Sequence, residues 1–206
     1  MHKYSLDEGR RLVNAVRNAI ELSLRMPNFD KSIVYKDVSD LQYKDGVFVT
    51  IEHYPTGSLR GCIGFPRGTE HVGMGAIDAA LSSAFGDPRF IPLSNKELEH
   101  IVIEVSLLTE PKEITGKAEL RSRKIKIGRD GIIIKYGFYE GLLLPIVAVE
   151  QGWTSAKFLE EACVKAGINP GMWKQPTVKV FRFETQVFKE ERPEGRVIEV
   201  EIARSR

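Results

Sequence analysis

The first apolar positions of the chain repeat at the spacing of an α-helix. Between Ser5 and Pro27 they recur every three or four residues: Leu12, Val13, Val16, Ile20 and Leu24. Ser5 followed by Glu8 is the sequence of a capping box, in which each residue satisfies a backbone amide of the other. The pattern therefore predicts an opening helix that begins after Ser5 and ends before Pro27.

Three further helices are predicted by the same criteria. Apolar and small residues at helical spacing indicate a helix over residues 70–85. Ser94 with Glu97 forms a second capping box, which predicts a short helix there. Thr154 is a typical N-cap, and Gly167 stands where a left-handed C-terminal cap belongs. Between these two residues one apolar stripe is formed by Phe158, Leu159, Ala162, Cys163 and Ala166.

Strands are predicted where apolar and polar residues alternate or where β-branched residues run together. Segment 47–52 alternates, and a second strand is predicted at 58–65, after the turn residues 55–57. Segment 101–109 is apolar on both faces except at Glu104 and Ser106, which indicates a covered central strand. Segments joined by glycine turns predict an antiparallel meander: 124–127, 132–136 and 142–149. Two final strands are predicted at 178–188, with a bulge at residues 180–181, and at 196–202.

The order of these elements indicates the fold class. Helices and mostly antiparallel strands are interspersed, so an α+β fold of antiparallel sheets with helices packed on one face fits best. A chain of 206 residues with 42% apolar content can bury one large core or the cores of two smaller lobes.

Composition excludes several classes of protein. Thirty basic and twenty-eight acidic side chains give a net charge of +2, too balanced to predict nucleic acid or anionic lipid as a partner. The start has no apolar signal segment, and the longest apolar stretch is far below the roughly 20 residues of a membrane helix, so no membrane association is expected. Cys62 and Cys163 do not form a disulfide framework. A cytoplasmic protein is therefore expected.

The most unusual chemistry lies in residues 59–64, with the sequence LRGCIG. Alternate residues of a strand share a face, so Arg60 and Cys62 are expected to point the same way with Cα atoms roughly 7 Å apart. A nearby guanidinium favours the thiolate, and Gly61 and Gly64 leave space around it, which makes Cys62 a candidate nucleophile and the other three candidate binding residues. Alternatively, Cys62 is a small buried apolar residue and the glycines mark a bulge or a close backbone approach.

Two other segments carry candidate polar groups. Asp87 and Arg89 lie in a connector stiffened by two prolines, where they either bind an anionic ligand or form an ion pair that tethers the loop. Glu104 and Ser106 either face solvent or form a buried polar pair, in which case Glu104 is a candidate acid or base. Cys163 belongs to an apolar helical stripe and is interpreted as a core residue.

Motifs for common cofactors are absent from the sequence. The four histidines form no ligand pair, and there is no close cysteine pair, so no metal site is predicted. Neither a nucleotide-binding glycine motif nor a serine-hydrolase elbow occurs, and no cofactor is expected. The basic run at residues 121–129 is interpreted as the solvated face of a strand, because its charges alternate with isoleucines and no aromatic residue is interleaved for RNA binding.

Several of these segments together resemble the AMMECR family, named from a human chromosomal region linked to Alport syndrome and elliptocytosis. Residues 59–64 resemble its hallmark hexapeptide, and residues 87–90 with Pro92 and Leu93 resemble its second motif. The further similar segments, in family order, are 104–108, 143–145 and 153–173. One departure is Ile146, where the family pattern has glutamine; if that amide belongs to a site in relatives, this chain lacks one hydrogen-bonding group.

The resemblance implies one AMMECR-type domain over residues 1–206 with two unequal lobes. The smaller lobe is expected around residues 41–115, and the larger one from residues 1–40 plus 116–206. Family members often occur beside, or fused to, Memo-like proteins and radical-SAM enzymes, which are therefore candidate partners in a pathway that modifies a biomolecule. Residues 1–206 hold no three-cysteine cluster motif, so neither an iron–sulfur cluster nor SAM binding is implied for this chain.

Two hypotheses of function follow. In the first, the chain is an enzyme or enzyme component in which Cys62 is a nucleophile or redox group and Arg60 and Arg89 hold an anionic substrate. In the second, it is a non-catalytic binding or adaptor module that docks a protein, and less readily an RNA, through the same strand. The two differ in whether Cys62 or the arginines are indispensable.

Overall fold

The computed structural model describes residues 2–26, 28–68 and 70–201 of the chain. Its α-helices are α1 Leu6–Arg25, α2 Ser32–Tyr35, α3 Val72–Phe85, α4 Pro145–Glu150 and α5 Ser155–Lys165. Its strands are β1 Gly46–His53, β2 Ser58–Phe65, β3 Ile101–Leu108, β4 Lys112–Glu113, β5 Asp130–Tyr136, β6 Tyr139–Leu143, β7 Lys179–Glu190 and β8 Val197–Val200. Four 3-10 helices occur at Lys36–Val38, Asn95–His100, Ala118–Lys124 and Pro170–Lys174.

The chain folds into two compact units. The first unit contains residues 1–108 and 186–200, and the second contains residues 109–185 and 201–206. Strand β7 contributes its beginning to the second unit and its end to the first, because the boundary falls after Thr185. Strand β1 pairs antiparallel with β2 and β3, β5 pairs antiparallel with β6 and β7, and β7 pairs antiparallel with β4 and β8, so the predicted α+β class with antiparallel sheets is confirmed.

The first unit is a sheet covered on one face by helices. Strand β1 lies between β2 and β3, as its burial pattern requires, and α3 packs on β1 and β2 while α1 packs on α3 and β3. The apolar phase of β1 is completely enclosed in this core: Val47, Val49 and Ile51. The capping box of Ser5 and Glu8 begins α1 as predicted, whereas Pro27, where the helix was expected to stop, is outside the described residues.

The second unit packs α5 against the hairpin of β5 and β6. The predicted apolar stripe of α5 is buried in its core, including Cys163, so the interpretation of Cys163 as a core residue is confirmed. Burial raises the pKa of the Cys163 thiol. Gly141 permits the close approach of α5, because a Cβ there would lie 2.5 Å from the backbone nitrogen of Ala166. Gly167 adopts φ +78°, as expected for the predicted left-handed cap.

Several predicted elements of the second unit are wrong. Residues 124–127 form no strand, because a 3-10 helix ends at Lys124 and is held there by the buried side chain of Arg121, so the basic run is not a strand face. Strand β6 ends at Leu143 and α4 begins at Pro145, where a helix tolerates the missing amide hydrogen of proline. The register of β7 is continuous at residues 180–181, without the predicted bulge. Ile202, the end of the last predicted strand, is outside the described residues.

The division into units differs from the lobes that the family resemblance implies. Residues 1–40 lie with residues 41–108, because the buried face of α1 packs against α3 and β3. Residues 186–200 return to the same unit, where Phe188 is buried in its core. The buried Arg17 of α1 forms an ion pair of 2.5 Å with Glu190 at the end of β7.

Candidate functional site

The LRGCIG segment forms most of β2, the edge strand of the sheet in the first unit. Its pairing with β1 is irregular: Ile51 pairs with Gly61 and Glu52 pairs with Leu59, which leaves Arg60 as an additional residue without a partner in β1. Such a bulge interrupts the alternation of side chains along a strand. The rule that would place Arg60 and Cys62 on one face therefore does not apply, and their side chains have different neighbours.

Arg60 is used in a buried ion pair. Its Nε donates to Glu97 at 2.6 Å and its Nη2 donates to the carbonyl oxygen of Ile91 at 2.8 Å, while the guanidinium lies 5.7 Å from the ring centre of Phe90. Burial opposes the ionisation of Glu97, but hydrogen bonds from Arg60 and Ser94 outweigh it and lower the pKa of Glu97 to about 2. Arg60 thus fastens β2 to the connector that follows α3.

The backbone of Cys62 is held by the connector residues Asp87 and Arg89. The amide of Cys62 donates to Asp87 Oδ2 at 2.9 Å, and its carbonyl oxygen accepts from Arg89 Nη2 at 3.1 Å. Asp87 and Arg89 also form an ion pair of 2.7 Å. Asp87 and Arg89 therefore form an ion pair, which is one of the two alternatives for these residues. The pair is hydrogen-bonded to the backbone of Cys62 in the hallmark segment.

The electrostatics of this pair follow from its burial. The Asp87 side chain is only 1% exposed, whereas that of Arg89 is 52% exposed. Hydrogen bonds from Arg89 hold the pKa of Asp87 well below its ordinary value against the effect of burial, and the amide of Cys62 contributes to the same shift. Hydrogen bonds to Asp87, and to a lesser extent the charge of ionised Cys62, raise the pKa of Arg89. Arg89 is consequently a permanent cation beside the cysteine.

Ser83 of α3 is inserted into the ladder between β1 and β2. Its hydroxyl accepts from the amide of Ile63 and donates to the carbonyl oxygen of Val49, both at 2.8 Å, although these two residues are paired across the strands. The helix approaches so closely that a Cβ on Gly61 would lie 2.2 Å from the carbonyl oxygen of Ser83. The alternative that Gly61 marks a bulge or a close backbone approach is confirmed.

The Cys62 thiol lies on the face of the sheet opposite α3. The Thr50 hydroxyl, on the neighbouring strand, lies 3.5 Å from the Cys62 sulfur and is oriented to donate to it. Gly64 does not leave open space around the thiol, because a Cβ there would lie 2.3 Å from the ring of Phe48. Cys62 is partly exposed and forms no disulfide. It is therefore neither sealed in the core nor fully open to solvent.

The polar face around Cys62 continues onto β3 and β7. Glu104 pairs with Thr50 across the ladder and accepts a hydrogen bond of 3.4 Å from Ser106, which is buried. Lys189 lies 3.8 Å from Glu104 and forms a closer ion pair with Glu52. Glu104 and Ser106 thus form a polar pair in which Ser106 is buried and Glu104 is partly exposed, so neither alternative applies to both residues.

Three residues that contribute to this site are not indicated by the local sequence pattern. Ser83 is one hydroxyl in a helix of small residues, and its partners come from two distant strands. Thr50 occupies the polar phase of the predicted strand β1, but the pattern of one strand does not indicate which residue of a neighbouring strand it faces. Lys189 lies beyond the predicted end of its strand. In the described part of the chain, no three His, Cys, Asp or Glu side chains converge as a metal site requires.

These features define a class of protein: an α+β chain of two unequal units whose LRGCIG edge strand is clamped at its cysteine. Comparison with known proteins agrees. The AMMECR1 family model matches residues 13–188. Protein MK0488 of Methanopyrus kandleri is 46% identical over 98% of this chain and 97% of its own length. The chain therefore belongs to the AMMECR1 family, as its motifs indicate.

Two further relatives are similar to nearly the whole chain, one of them by a solved structure. Protein PF1979 of Pyrococcus furiosus is 44% identical over 96% of this chain and 95% of its own length. The crystal structure of the uncharacterised protein PH0010 from Pyrococcus horikoshii is similar, with a TM-score of 0.86 and 43% identity over 95% of this chain and 97% of that one. Among the residues that the structure describes, no helix has the length and apolar character needed to cross a membrane.

Proposed function

We propose that the chain acts through the Cys62 thiol, as an enzyme or enzyme component in a pathway that modifies another molecule. The observation that carries this proposal is the fixation of Cys62. Its amide and its carbonyl oxygen are both held by the Asp87 and Arg89 pair, and its sulfur lies against the Thr50 hydroxyl. Side chains that take part in chemistry need such positioning by their surroundings.

In this proposal Cys62 is the nucleophile or redox group. A hydroxyl donor and a neighbouring guanidinium both stabilise a thiolate relative to a thiol, and the thiolate is the reactive form. Arg89 is half exposed beside Cys62, so it is the group that holds an anionic substrate. Glu104, which pairs with Thr50 across the ladder, is a binding group on the same face.

The other predicted site residues have positioning roles in this proposal. Arg60 and Asp87 are buried in ion pairs, so neither contacts the substrate. Gly61 and Gly64 act through the close packing of Ser83 and Phe48, which fixes the strand on both sides. Memo-like proteins and radical-SAM enzymes, the neighbours that the family resemblance implies, are the candidate partners in the pathway.

Alkylation kinetics of the native protein test this proposal. Iodoacetamide is expected to modify Cys62 at least about tenfold faster than it modifies glutathione at pH 7, because the surroundings favour the thiolate. Mass spectrometry assigns the label, and Cys163, which is completely buried, serves as the internal control that stays unmodified in the folded chain. Thr50→Val is expected to slow the reaction. A rate no greater than that of glutathione would reject Cys62 as the reactive group.

The second candidate function is a binding or adaptor module for a protein partner. It is favoured by the half-exposed guanidinium of Arg89, which the Asp87 pair fixes in place at a sheet edge. In this case Arg89→Gln abolishes binding to a purified Memo-like or radical-SAM neighbour, whereas Cys62→Ser leaves the affinity unchanged. The reverse pattern, with Cys62→Ser alone affecting the joint activity, supports the enzyme instead.

A further inference from the structure

The second unit contains a cavity that the Cys62 site does not involve. Its volume is about 450 Å³, and it is lined by residues 113–119, Arg121 and Pro176. Small-molecule sites in proteins commonly range from about 300 to 1,000 Å³, so the cavity has the size for a small ligand. Ile114, Ala118 and Arg121 are its buried lining residues.

Arg121 is the buried cation of this cavity. The side chain is almost entirely enclosed, and its Nη1 donates to the carbonyl oxygens of Trp173 at 2.5 Å and Gln175 at 3.1 Å. These two bonds fix the plane of the guanidinium. Its buried Nε has no hydrogen-bond partner among the described residues, and unmet donors of this kind are rare in folded proteins. Burial lowers the pKa of Arg121, against the opposing charges of Glu113 and Glu119.

The remaining charged groups of the cavity are exposed. Glu113, Lys117 and Glu119 line it from the solvent side, whereas the hydrogen bonds of Arg121 go to backbone carbonyl oxygens. Two positive and two negative side chains therefore surround the cavity, with a buried cation and two exposed anions. A ligand that matches this pattern carries a negative end inward and a positive end outward and has no net charge.

We propose that this cavity binds a free α-amino acid, with its carboxylate on Arg121 and its ammonium group toward Glu113 and Glu119. A guanidinium held in one plane keeps its remaining donors in a fixed direction, and a hydrogen bond between two charged groups is stronger than one between neutral groups. A plain anion would lack a partner for the glutamates and would be repelled by them. The apolar side chains of Ile114 and Ala118 contact the side chain of the amino acid.

Thermal unfolding and calorimetry of the full chain test this proposal. The common L-amino acids are added singly at about 10 mM, because a ligand that binds only the folded state raises its stability. At least one is expected to raise the unfolding temperature and to bind with a Kd below about 1 mM. Its N-acetyl and its α-amide derivatives are each expected to bind at least about tenfold more weakly, since one charged end is missing.

Variants locate the binding. Arg121→Lys is expected to weaken it at least about tenfold, because an ammonium does not reproduce the planar donor geometry of a guanidinium. Glu119→Gln lies on the exposed side, leaves folding intact and is expected to weaken binding severalfold. Glu110→Gln, an exposed change outside the lining, is the control without effect. The proposal is overturned if no amino acid binds, if the α-amide binds as tightly as the free acid, or if Glu119→Gln and folded Arg121→Lys leave the affinity unchanged.

Discussion

Asp87 is the residue on which the geometry of the hallmark segment depends most directly. Its carboxylate is almost fully buried, yet it binds the exposed Arg89 on one side and the amide of Cys62 on the other. Because both contacts favour the ionised form, the folded state lowers the pKa of Asp87. The Asp87 side chain thereby connects the backbone of Cys62 to the charged guanidinium of Arg89.

Asp87→Asn is expected to destabilise the protein by about 1.5–3 kcal/mol at pH 7, the range for a hydrogen bond to a charged group. A carboxylate whose pKa is lower in the folded state contributes fully above its unfolded value of about 3.9 and loses this contribution as the pH falls toward the folded value. The difference between wild type and variant should therefore shrink below about pH 4. Urea unfolding across this pH range measures it.

Asp40→Asn is the matched control for this experiment. Asp40 also pairs with an arginine, Arg11, but its side chain is 60% exposed. An exposed pair contributes at most about 1 kcal/mol, so the control is expected to change stability little at any pH. A penalty for Asp87→Asn that stays constant down to pH 2 would show that the charge of Asp87 is not the cause.

At the scale of elements, β2 depends on α3 for one of its ladder contacts. The Ser83 hydroxyl connects the amide of Ile63 with the carbonyl oxygen of Val49, which are both inside the sheet. Ser83→Ala removes this connection and leaves both backbone groups without the hydroxyl, at an expected cost of about 1–3 kcal/mol. Hydrogen exchange of the Ile63 amide is expected to accelerate more than that of other β1 and β2 amides.

Ser82→Ala is the control in the same helix. Ser82 precedes Ser83 but is partly exposed, so the loss of its hydroxyl is expected to leave exchange at Ile63 unchanged. Equal exchange rates in the two variants would mean that Ser83 does not support the ladder.

Most elements of the first unit could be predicted from sequence because their signals are local. The Ser5 and Glu8 capping box, the alternation in β1 and the turn residues before β2 each involve neighbouring residues, and the structure confirms the helix and both strands. In the second unit the pattern failed where a proline or a tertiary contact determines the local structure. Pro145 begins a helix within an apolar run, and Arg121 holds a 3-10 turn through carbonyl groups some fifty residues away.

The candidate site was predictable only in part for the same reason. Local pattern identified Cys62 and its glycines, and it posed the ion pair of Asp87 and Arg89 as one alternative. It could not place the bulge at Arg60, since a bulge depends on the register with a partner strand. Nor could it indicate Ser83, whose hydrogen-bond partners are 20 and 34 residues away along the chain.

At the scale of the whole molecule, a buried ion pair in the first unit joins two elements that are far apart along the chain. Arg17 of α1 and Glu190 of β7 form a buried pair, and Glu190 also accepts from the amide of Ile103 in β3. Glu190→Gln leaves the Arg17 charge buried without its counterion, which is expected to cost about 3–5 kcal/mol. The double variant Arg17→Met with Glu190→Gln removes that charge and should recover part of the loss.

Two probes separate the effect of this change on each unit. Both tryptophans, Trp153 and Trp173, pack in the core of the second unit, so their fluorescence reports on that unit. Hydrogen exchange of the β1 and β3 amides reports on the first unit. In Glu190→Gln, hydrogen exchange of the β1 and β3 amides should accelerate at a lower urea concentration than in the wild-type protein. An unchanged exchange profile, or a double variant less stable than the single one, would contradict the role of the pair.

The clamp on Cys62 also bears on how the protein behaves at high concentration. Edge strands present amide and carbonyl groups that can pair with the edge of another molecule and start aggregation. At Cys62 the outward amide and carbonyl oxygen of β2 are already occupied by Asp87 and Arg89. The same two side chains that position the cysteine therefore protect the edge of the sheet from joining the sheet of a second copy.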